Sequence, residues 1–427
     1  MEPLATAILR KVCTPGSRTA ATSSEKGGLT STLFLIKAMS MSITATSAPA
    51  RPLLARLLGW RFATNYLSTL AFIGLGYWFI TGLSGFHKSM MSGAWHLGSF
   101  GSDTVISVHD VFVALIALYS LVLIPYYAAY PWLRSTSFTF AQGLWFTLRR
   151  GQTHRRTPQD AIAPMRLTSA FHPSRSTRQA GLTLLLKFFF APLMINWCLI
   201  HIANLSGSLI GVMHAIQSGT TGRLLFDNHV FWASFQLLLF IDTLLFTIGY
   251  IVELPVLGNR IRSVEPTFFG WFICLICYPP FIDTTLRFLE WQSSDFPSFA
   301  NDYLHLAVNI ALLLAMTVFA WSSIALGFKA SNLTNRGIVS GGPYRFVRHP
   351  AYAAKNLAWW LGALPMLGVL SVAGDWRALA YALIALCGWT TIYVLRALTE
   401  ERHLRLLDNG YTQYARNVRW RFVPGVW

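Results

Sequence analysis

The sequence predicts an all-α protein, a polytopic transmembrane helical bundle of about eight spans with both termini in the cytoplasm. Of its 427 residues, 54% are hydrophobic and 12% are charged, whereas soluble domains carry about a quarter charged residues. Apolar stretches long enough to cross about 30 Å of hydrocarbon recur along the chain. Lys and Arg collect in alternate connections between these stretches. Together these three observations indicate an integral membrane protein.

The spans follow from the apolar windows. We place them at residues 65–83, 106–130, 182–203, 230–253, 267–285, 303–326, 356–372 and 376–395. The last two are short, and Gly374 and Asp375 separate them, so we expect a tight helical hairpin. Pro365 is expected to kink its first helix, because proline removes a helical hydrogen bond.

The orientation follows from the basic residues. In this layout 29 of the 34 Lys and Arg residues lie on one side and four on the other. Cytoplasmic connections collect positive charge, so this asymmetry explains the net charge of +17 and no nucleic-acid partner is expected. Lys187, at the start of the third span, is expected to snorkel to the interface. A re-entrant segment in place of one pair of spans is the alternative.

Composition divides the chain into three parts. Residues 1–60 are basic, rich in Ser, Thr and Ala and without periodicity, which predicts disorder. This composition is typical of an organelle presequence. The alternative is that Met41 is the true start and that the residues before it are a misassigned upstream extension. Residues 61–300 form an N-terminal transmembrane region of unknown role. Its arginine-rich connection, 131–180, marks topology or holds anionic lipid headgroups. Residues 301–427 carry the chemistry.

Polar residues within spans are costly and therefore candidates for function. Most lie near span ends, where an interhelical hydrogen bond is expected, whereas Asp242 lies near the middle of its span. The set is His109, Asp110, Asn196, His201, Asp242, Glu253, Asp283 and Asn309. Cys274 and Cys277 have CxxC spacing but no second pair or histidine nearby, so they are interpreted as packing residues and no metal site is expected.

The first polar cluster is GGPYRFVRHPAY, residues 341–352. The Gly-Gly-Pro sequence predicts a turn after the sixth span, and Pro350 suits the first turn of the next helix. Arg345, Arg348 and His349 would then lie beside a helix N-terminus. Such a site favours an anionic group, for example a carboxylate or phosphate.

The second cluster follows the eighth span. Leucines recur at helical spacing from Leu395 to Leu407, which predicts that the helix continues past the span. Glu400 and Glu401 would project about 100° apart on it, so one can face a pocket while the other braces the site. Tyr411 and Tyr414 come next. We expect the two clusters to form one site.

Taken in order, GPYRFVRHPAY, a helical hairpin, EERHL, GYTQYARNV and RFVP resemble the C-terminal signature of the isoprenylcysteine carboxyl methyltransferase and phospholipid methyltransferase group of membrane enzymes. The resemblance covers roughly the last hundred residues. It implies an S-adenosylmethionine-dependent methyltransferase that binds its cofactor on the cytoplasmic side, while a lipid-like or prenylated acceptor enters from the bilayer. The membrane would be a bacterial inner membrane or one of endoplasmic reticulum type.

The matched positions imply roles for seven residues. Cofactor binding falls to Tyr344, His349, Pro350, Tyr352 and Glu400, and catalysis to Arg348 and Glu401. Arg348 would grip an acceptor carboxylate, which is ionised at neutral pH and needs no base, whereas a lipid amine would need Glu401 or His349 as general base. Lys355 and Asn356 depart from the family pattern and leave the identity of the acceptor open.

Two other classes of protein remain as alternatives. A sterol-reductase-like enzyme has a similar turn and binds a nicotinamide cofactor, NADPH. A non-catalytic transporter or scaffold with a degenerate tail would be consistent with the intramembrane Asp242 and Asp283. The paired glutamates favour methyl transfer over both.

Overall fold

The computed structural model describes residues 59–96, 105–130, 132–153, 173–407 and 410–427. These residues belong to one compact unit that is mostly helical and has only four short strands among the described residues. The predicted all-α bundle is therefore confirmed. The N-terminal segment predicted to be disordered, including Met41, lies outside the described residues apart from Gly59 and Trp60, as do the three arginines between residues 154 and 172.

Within the described residues, the first part of the chain contains four α-helices and a short hairpin. They are α1 (Trp60–Trp78), α2 (Gly85–Met91), β1 (Ala94–His96) paired antiparallel with β2 (Val105–Ser107), α3 (Val108–Ala129) and α4 (Thr136–Thr153). Helix α4 falls within the predicted connection 131–180. The apolar windows missed it because its sequence is polar. It begins where Ser135 accepts a hydrogen bond from Phe138 N (3.0 Å) and donates its own N–H to Asn65 (2.7 Å).

The middle of the chain is built on α5 (Arg175–Gln217), a single helix of 43 residues that extends well beyond the predicted span at 182–203. It is followed by α6 (Gly222–Leu225) and α7 (Phe231–Ile251), which run on through a π-helical turn. Lys187 of α5 forms an ion pair with Glu253 (2.6 Å). Its charge is therefore neutralised within the protein, where the sequence had suggested snorkelling.

The fifth predicted span, 267–285, is not one helix. It consists of α8 (Phe268–Leu275) and α9 (Ile282–Phe288), because Pro279 and Pro280 between them lack the backbone donors that a helix needs. Extended chain follows. Trp389 donates to the carbonyl of Leu289 (3.0 Å), and the Ser294 N–H donates to the carbonyl of Gly362 (3.1 Å). The segment is thus packed along the last two long helices, where protein covers its irregular backbone.

The remaining elements are β3 (Ser263–Val264), which pairs with β4 (Thr334–Asn335), and the helices α10 (Asp302–Leu326), α11 (Pro350–Val372), α12 (Trp376–Arg405) and α13 (Tyr411–Asn417). The predicted hairpin is confirmed. Gly374 takes a positive φ of 70°, and Asp375 caps α12 by accepting from Ala378 N (3.0 Å).

Six helices in the described part of the chain are long and apolar enough to cross a membrane, so the chain is a membrane protein. They are Trp60–Leu83, Val108–Ala129, Arg175–Gln217, Gly222–Ile251, Asp302–Lys329 and Trp376–Arg405. Two of the eight predicted spans are not among these six helices. One is the broken segment at 267–285, and the other corresponds to α11. Helix α11 has 23 residues, but Lys355 and Asn356 lower its hydropathy.

Arg336 joins the two halves of the chain at the end of the bundle that carries residues 341–352. Its side chain is buried and donates to the carbonyls of Gly249 (2.6 Å) and Asn259 and to Ser331 Oγ (2.8 Å). These contacts cross the predicted boundary near residue 300. The regions 61–300 and 301–427 therefore pack together in one unit.

Replacing Arg336 with Met is expected to lower the free energy of unfolding by about 3 kcal/mol, because three buried acceptors lose their donor. Thermal unfolding in detergent measures the effect as a lowered midpoint. Arg345→Met is the control, since Arg345 is exposed and stacks only on Phe346. Equal midpoints for the two variants would contradict this role for Arg336.

Candidate functional site

The chain turns sharply into the site at residues 341–352, here called the motif turn. Gly342 has a φ of +58°, and a Cβ at this position would lie 2.9 Å from the Ala325 side chain, so only glycine fits. A short 3₁₀ helix, Gly342–Arg345, follows. Helix α11 then begins at Pro350, the first-turn position that proline favours.

The last residues of the chain pair with the backbone of the motif turn. Arg348 N donates to the carbonyl of Trp420 and His349 N to that of Arg421, both at 2.9 Å. Tyr414 of α13 donates its hydroxyl to the carbonyl of Tyr344 (2.7 Å). The motif turn is thus held between α13 and the segment after it, the C-terminal tail (residues 418–427).

Glu401 lies at the centre of a buried charge cluster. Its side chain is 1% exposed and lies 2.9 Å from Arg348 Nη1, 2.9 Å from Arg405 Nη2, 3.3 Å from Arg421 Nε and 3.3 Å from His349 Nε2. The partners come from the motif turn, α12 and the C-terminal tail. One carboxylate therefore fixes three separate segments against each other.

Glu400 faces the other way. Its carboxylate is 43% exposed and accepts a hydrogen bond from the Tyr352 hydroxyl (3.1 Å). His349 stacks on Tyr352 with a ring separation of 5.6 Å and an interplanar angle of 4°, and its Nδ1 lies 3.9 Å from Glu400. The two adjacent glutamates thus separate into one buried anchor and one accessible carboxylate.

A cavity of about 230 Å³ connects this cluster with the interior of the bundle. Five of the seven predicted site residues line it, namely Tyr344, Arg348, His349, Tyr352 and Glu400. Pro350 instead begins α11, and Glu401 is buried behind the wall. The N-terminal region contributes further walls, with Met194 and Trp197 from α5 and Asp242 and Phe246 from α7. All seven residues therefore lie together, in and behind one cavity wall.

Two buried polar atoms at this cavity, Arg348 Nε and the Tyr411 hydroxyl, have no hydrogen-bond partner among the described residues. Buried polar groups are normally satisfied. With the accessible Glu400 they offer donors and an acceptor to a polar ligand. This donor set fits a molecule with hydroxyl, amino and carboxylate groups.

Three tyrosines close the polar end of the cavity. Burial raises the pKa of Tyr344, Tyr411 and Tyr414, and the nearby Glu400 carboxylate raises it further. All three hydroxyls therefore stay protonated at neutral pH. They are available as neutral donors and acceptors, and they add no negative charge to the cavity.

Arg396 also lines the cavity, although sequence reasoning counted it only as a topology marker. It is buried, donates to Asn332 Oδ1 (3.1 Å) and lies 5.2 Å from the Tyr352 ring and 4.9 Å from the Tyr393 ring. The sequence contains a signal for this position in the site, because Arg396 lies four residues before Glu400 and residues four apart share a helix face. Among the described residues, no carboxylate forms an ion pair with Arg396. Arg396 is therefore an unpaired cation in the cavity wall of the described structure.

Cys274 and Cys277 are both buried and pack in the apolar core, as their sequence context had suggested. Across the residues that the structure describes, no three His, Cys, Asp or Glu side chains come close enough together to hold a metal ion.

Comparisons of the chain with protein-family models, with curated proteins and with solved structures found no match. The resemblance of the C-terminal motifs to the methyltransferase group therefore stays a prediction.

Glu401→Gln is expected to lower the free energy of unfolding by about 3 kcal/mol, because three arginines and a histidine lose their shared anion. Glu400→Gln is the matched control, an adjacent glutamate whose side chain is accessible. The midpoint of thermal unfolding in detergent compares the two. A Glu400→Gln variant as unstable as Glu401→Gln would contradict the assignment of Glu401 as the anchor.

Proposed function

We propose that the chain is a membrane-embedded S-adenosylmethionine-dependent methyltransferase that acts on a lipid-like or prenylated acceptor and methylates its carboxylate. One observation above all supports the proposal. Residues of the RHPAY motif and Glu400 line one cavity, and membrane helices line the rest of it. A polar cofactor and an amphiphilic acceptor need such a cavity.

The polar end suits the cofactor. Glu400 offers a carboxylate to an ammonium or to ribose hydroxyls, and the unpartnered Tyr411 hydroxyl and Arg348 Nε offer further hydrogen bonds. Tyr352 orients Glu400, while His349 is held flat against Tyr352. These contacts support the proposal that Tyr344, His349, Tyr352 and Glu400 bind the cofactor, with Pro350 setting the direction of α11.

S-adenosylmethionine supplies an electrophilic methyl group on a positively charged sulfur, which leaves as a neutral thioether. The residues then have to align the acceptor oxygen and exclude water. An acceptor carboxylate is already ionised, so no side chain needs to remove a proton. A general base is therefore not required.

The acceptor carboxylate is proposed to bind Arg396, whose guanidinium lines the cavity and makes a single hydrogen bond within the described part of the chain. Arg348 was predicted to bind the carboxylate, but its two Nη atoms donate to Glu401 and to the carbonyl of Arg419 (3.1 Å). Glu401 is likewise surrounded by cations. Both are proposed as positioning residues that hold the motif turn, and Arg396 takes the role that contacts the acceptor.

The active site is proposed to open to the cytoplasm. The asymmetry of Lys and Arg supports this orientation, since the motif turn and the C-terminal tail lie on the side that carries 29 of the 34 basic residues.

Calorimetric titration of the detergent-purified protein with S-adenosylhomocysteine and, separately, with NADPH tests the class of enzyme. Saturable binding of S-adenosylhomocysteine alone is expected. Glu400→Gln and His349→Ala should weaken it about tenfold or more, because each removes a polar partner of the ligand. Asp242→Asn, which lies on α7 in the cavity wall and has no contact with Glu400, His349 or Tyr352, should leave it unchanged.

Binding of NADPH alone would contradict the proposal and favour the reductase. Binding of neither ligand by folded protein would favour a transporter or scaffold. Equal loss in all three variants would indicate misfolding, which the thermal unfolding midpoint of each variant distinguishes.

A further inference from the structure

A second part of the cavity wall contains polar and charged side chains supplied by three long helices. Asp242 comes from α7, Ser323 from α10 and Lys355 from α11, and all three line the cavity. Arg396 lines it on the side of α12. We call this region, defined by Asp242, Ser323, Lys355 and Arg396, the inner chamber.

Asp242 accepts a hydrogen bond from a neighbouring side chain, but among the described residues no cation forms an ion pair with its carboxylate. The donor is Ser323 Oγ, and the acceptor is one of the carboxylate oxygens. Asp242 lies nine residues before the end of α7, about 14 Å along the helix. A charge at such a position costs free energy that only a partner offsets.

Lys355 is the opposite charge in the same chamber. Its ammonium lies 5.5–5.9 Å from the rings of Phe319, Trp359 and Tyr393, and its described neighbours give it neither a hydrogen bond nor an ion pair. Aromatic faces attract a cation but leave its N–H donors unused. Asp242 and Lys355 thus line the same cavity within electrostatic range of each other, and neither forms an ion pair within the described residues.

Two opposite charges that share a chamber without touching are complementary to a ligand that carries both signs. We infer that the inner chamber binds the head group of a zwitterionic acceptor, with its ammonium at Asp242 and its anionic group at Lys355 and Arg396. The inference rests on the proposed function, and it names the class of substrate as an amphiphile with a free amine beside its carboxylate.

The arrangement disfavours an acceptor that carries a carboxylate alone. Such a ligand would satisfy Lys355 and Arg396 but would leave Asp242 without a cation and near a second negative charge. Asp242 therefore acts as a specificity residue. Because it belongs to α7, the inference also gives the N-terminal region a role, which is to select the acceptor.

Two amphiphiles that differ only at the amine test this inference. S-farnesyl-L-cysteine has a free ammonium and N-acetyl-S-farnesyl-L-cysteine does not, while both carry the same carboxylate and tail. Their dissociation constants are measured by calorimetry on the full chain in lipid nanodiscs. We expect the wild type to bind the free-amine form about tenfold to a hundredfold more tightly, as expected for a buried charge-assisted hydrogen bond.

Asp242→Asn keeps an oxygen that accepts from Ser323 and removes only the charge. It should reduce the preference for the free amine to about one and leave S-adenosylhomocysteine affinity unchanged. Lys355→Gln is the matched control on the anionic side. It should weaken both amphiphiles alike and preserve their ratio.

Equal affinity of the wild type for the two amphiphiles, binding of neither, or a preference that persists in Asp242→Asn would overturn the inference. So would loss of S-adenosylhomocysteine binding in Asp242→Asn, which would place the chamber in the cofactor site. If instead S-adenosylhomocysteine never binds while the Asp242-dependent preference is present, the inner chamber stands and the proposed methyltransferase function fails.

Discussion

The buried carboxylate of Glu401 is the constraint on which the rest of the site depends. It is shared by Arg348 and His349 of the motif turn, by Arg405 one turn along α12 and by Arg421 of the C-terminal tail. Breaking a buried charge network is costly because the remaining charges stay desolvated. The network therefore fixes the motif turn against α12. In this arrangement His349, Tyr352 and Glu400 lie on the cavity wall.

The cavity has two chemically distinct ends, and different parts of the chain build them. The motif turn, α12 and α13 supply the hydroxyls and the accessible carboxylate of the polar end, whereas α5, α7, α10 and α11 enclose the inner chamber. Arg396 lies where these parts meet. The proposed function would place the methyl donor at the polar end and the acceptor head group in the inner chamber, and the transfer would require above all that water is excluded from between them.

Periodicity and composition predicted most of the helices, the final hairpin and the meeting of the two polar clusters, because helix length and hairpin turns are local properties. They missed α4, whose polar sequence is stabilised by contacts with α1 and α5, and the break at Pro279 and Pro280. They also could not predict which of Arg348 and Arg396 is free to meet a ligand. That distinction depends on Glu401 and the carbonyl of Arg419, which are brought to Arg348 only by the tertiary fold.

Transfer of a labelled methyl group from S-adenosylmethionine to S-farnesyl-L-cysteine tests the central claim most directly, with the product analysed for release of methanol by alkali. We expect alkali-labile label, the signature of a methyl ester, in the wild type and about a hundredfold less in Arg396→Gln, whose acceptor is no longer aligned. Absence of transfer by folded protein, or label that is stable to alkali, would contradict the assignment as a carboxyl methyltransferase.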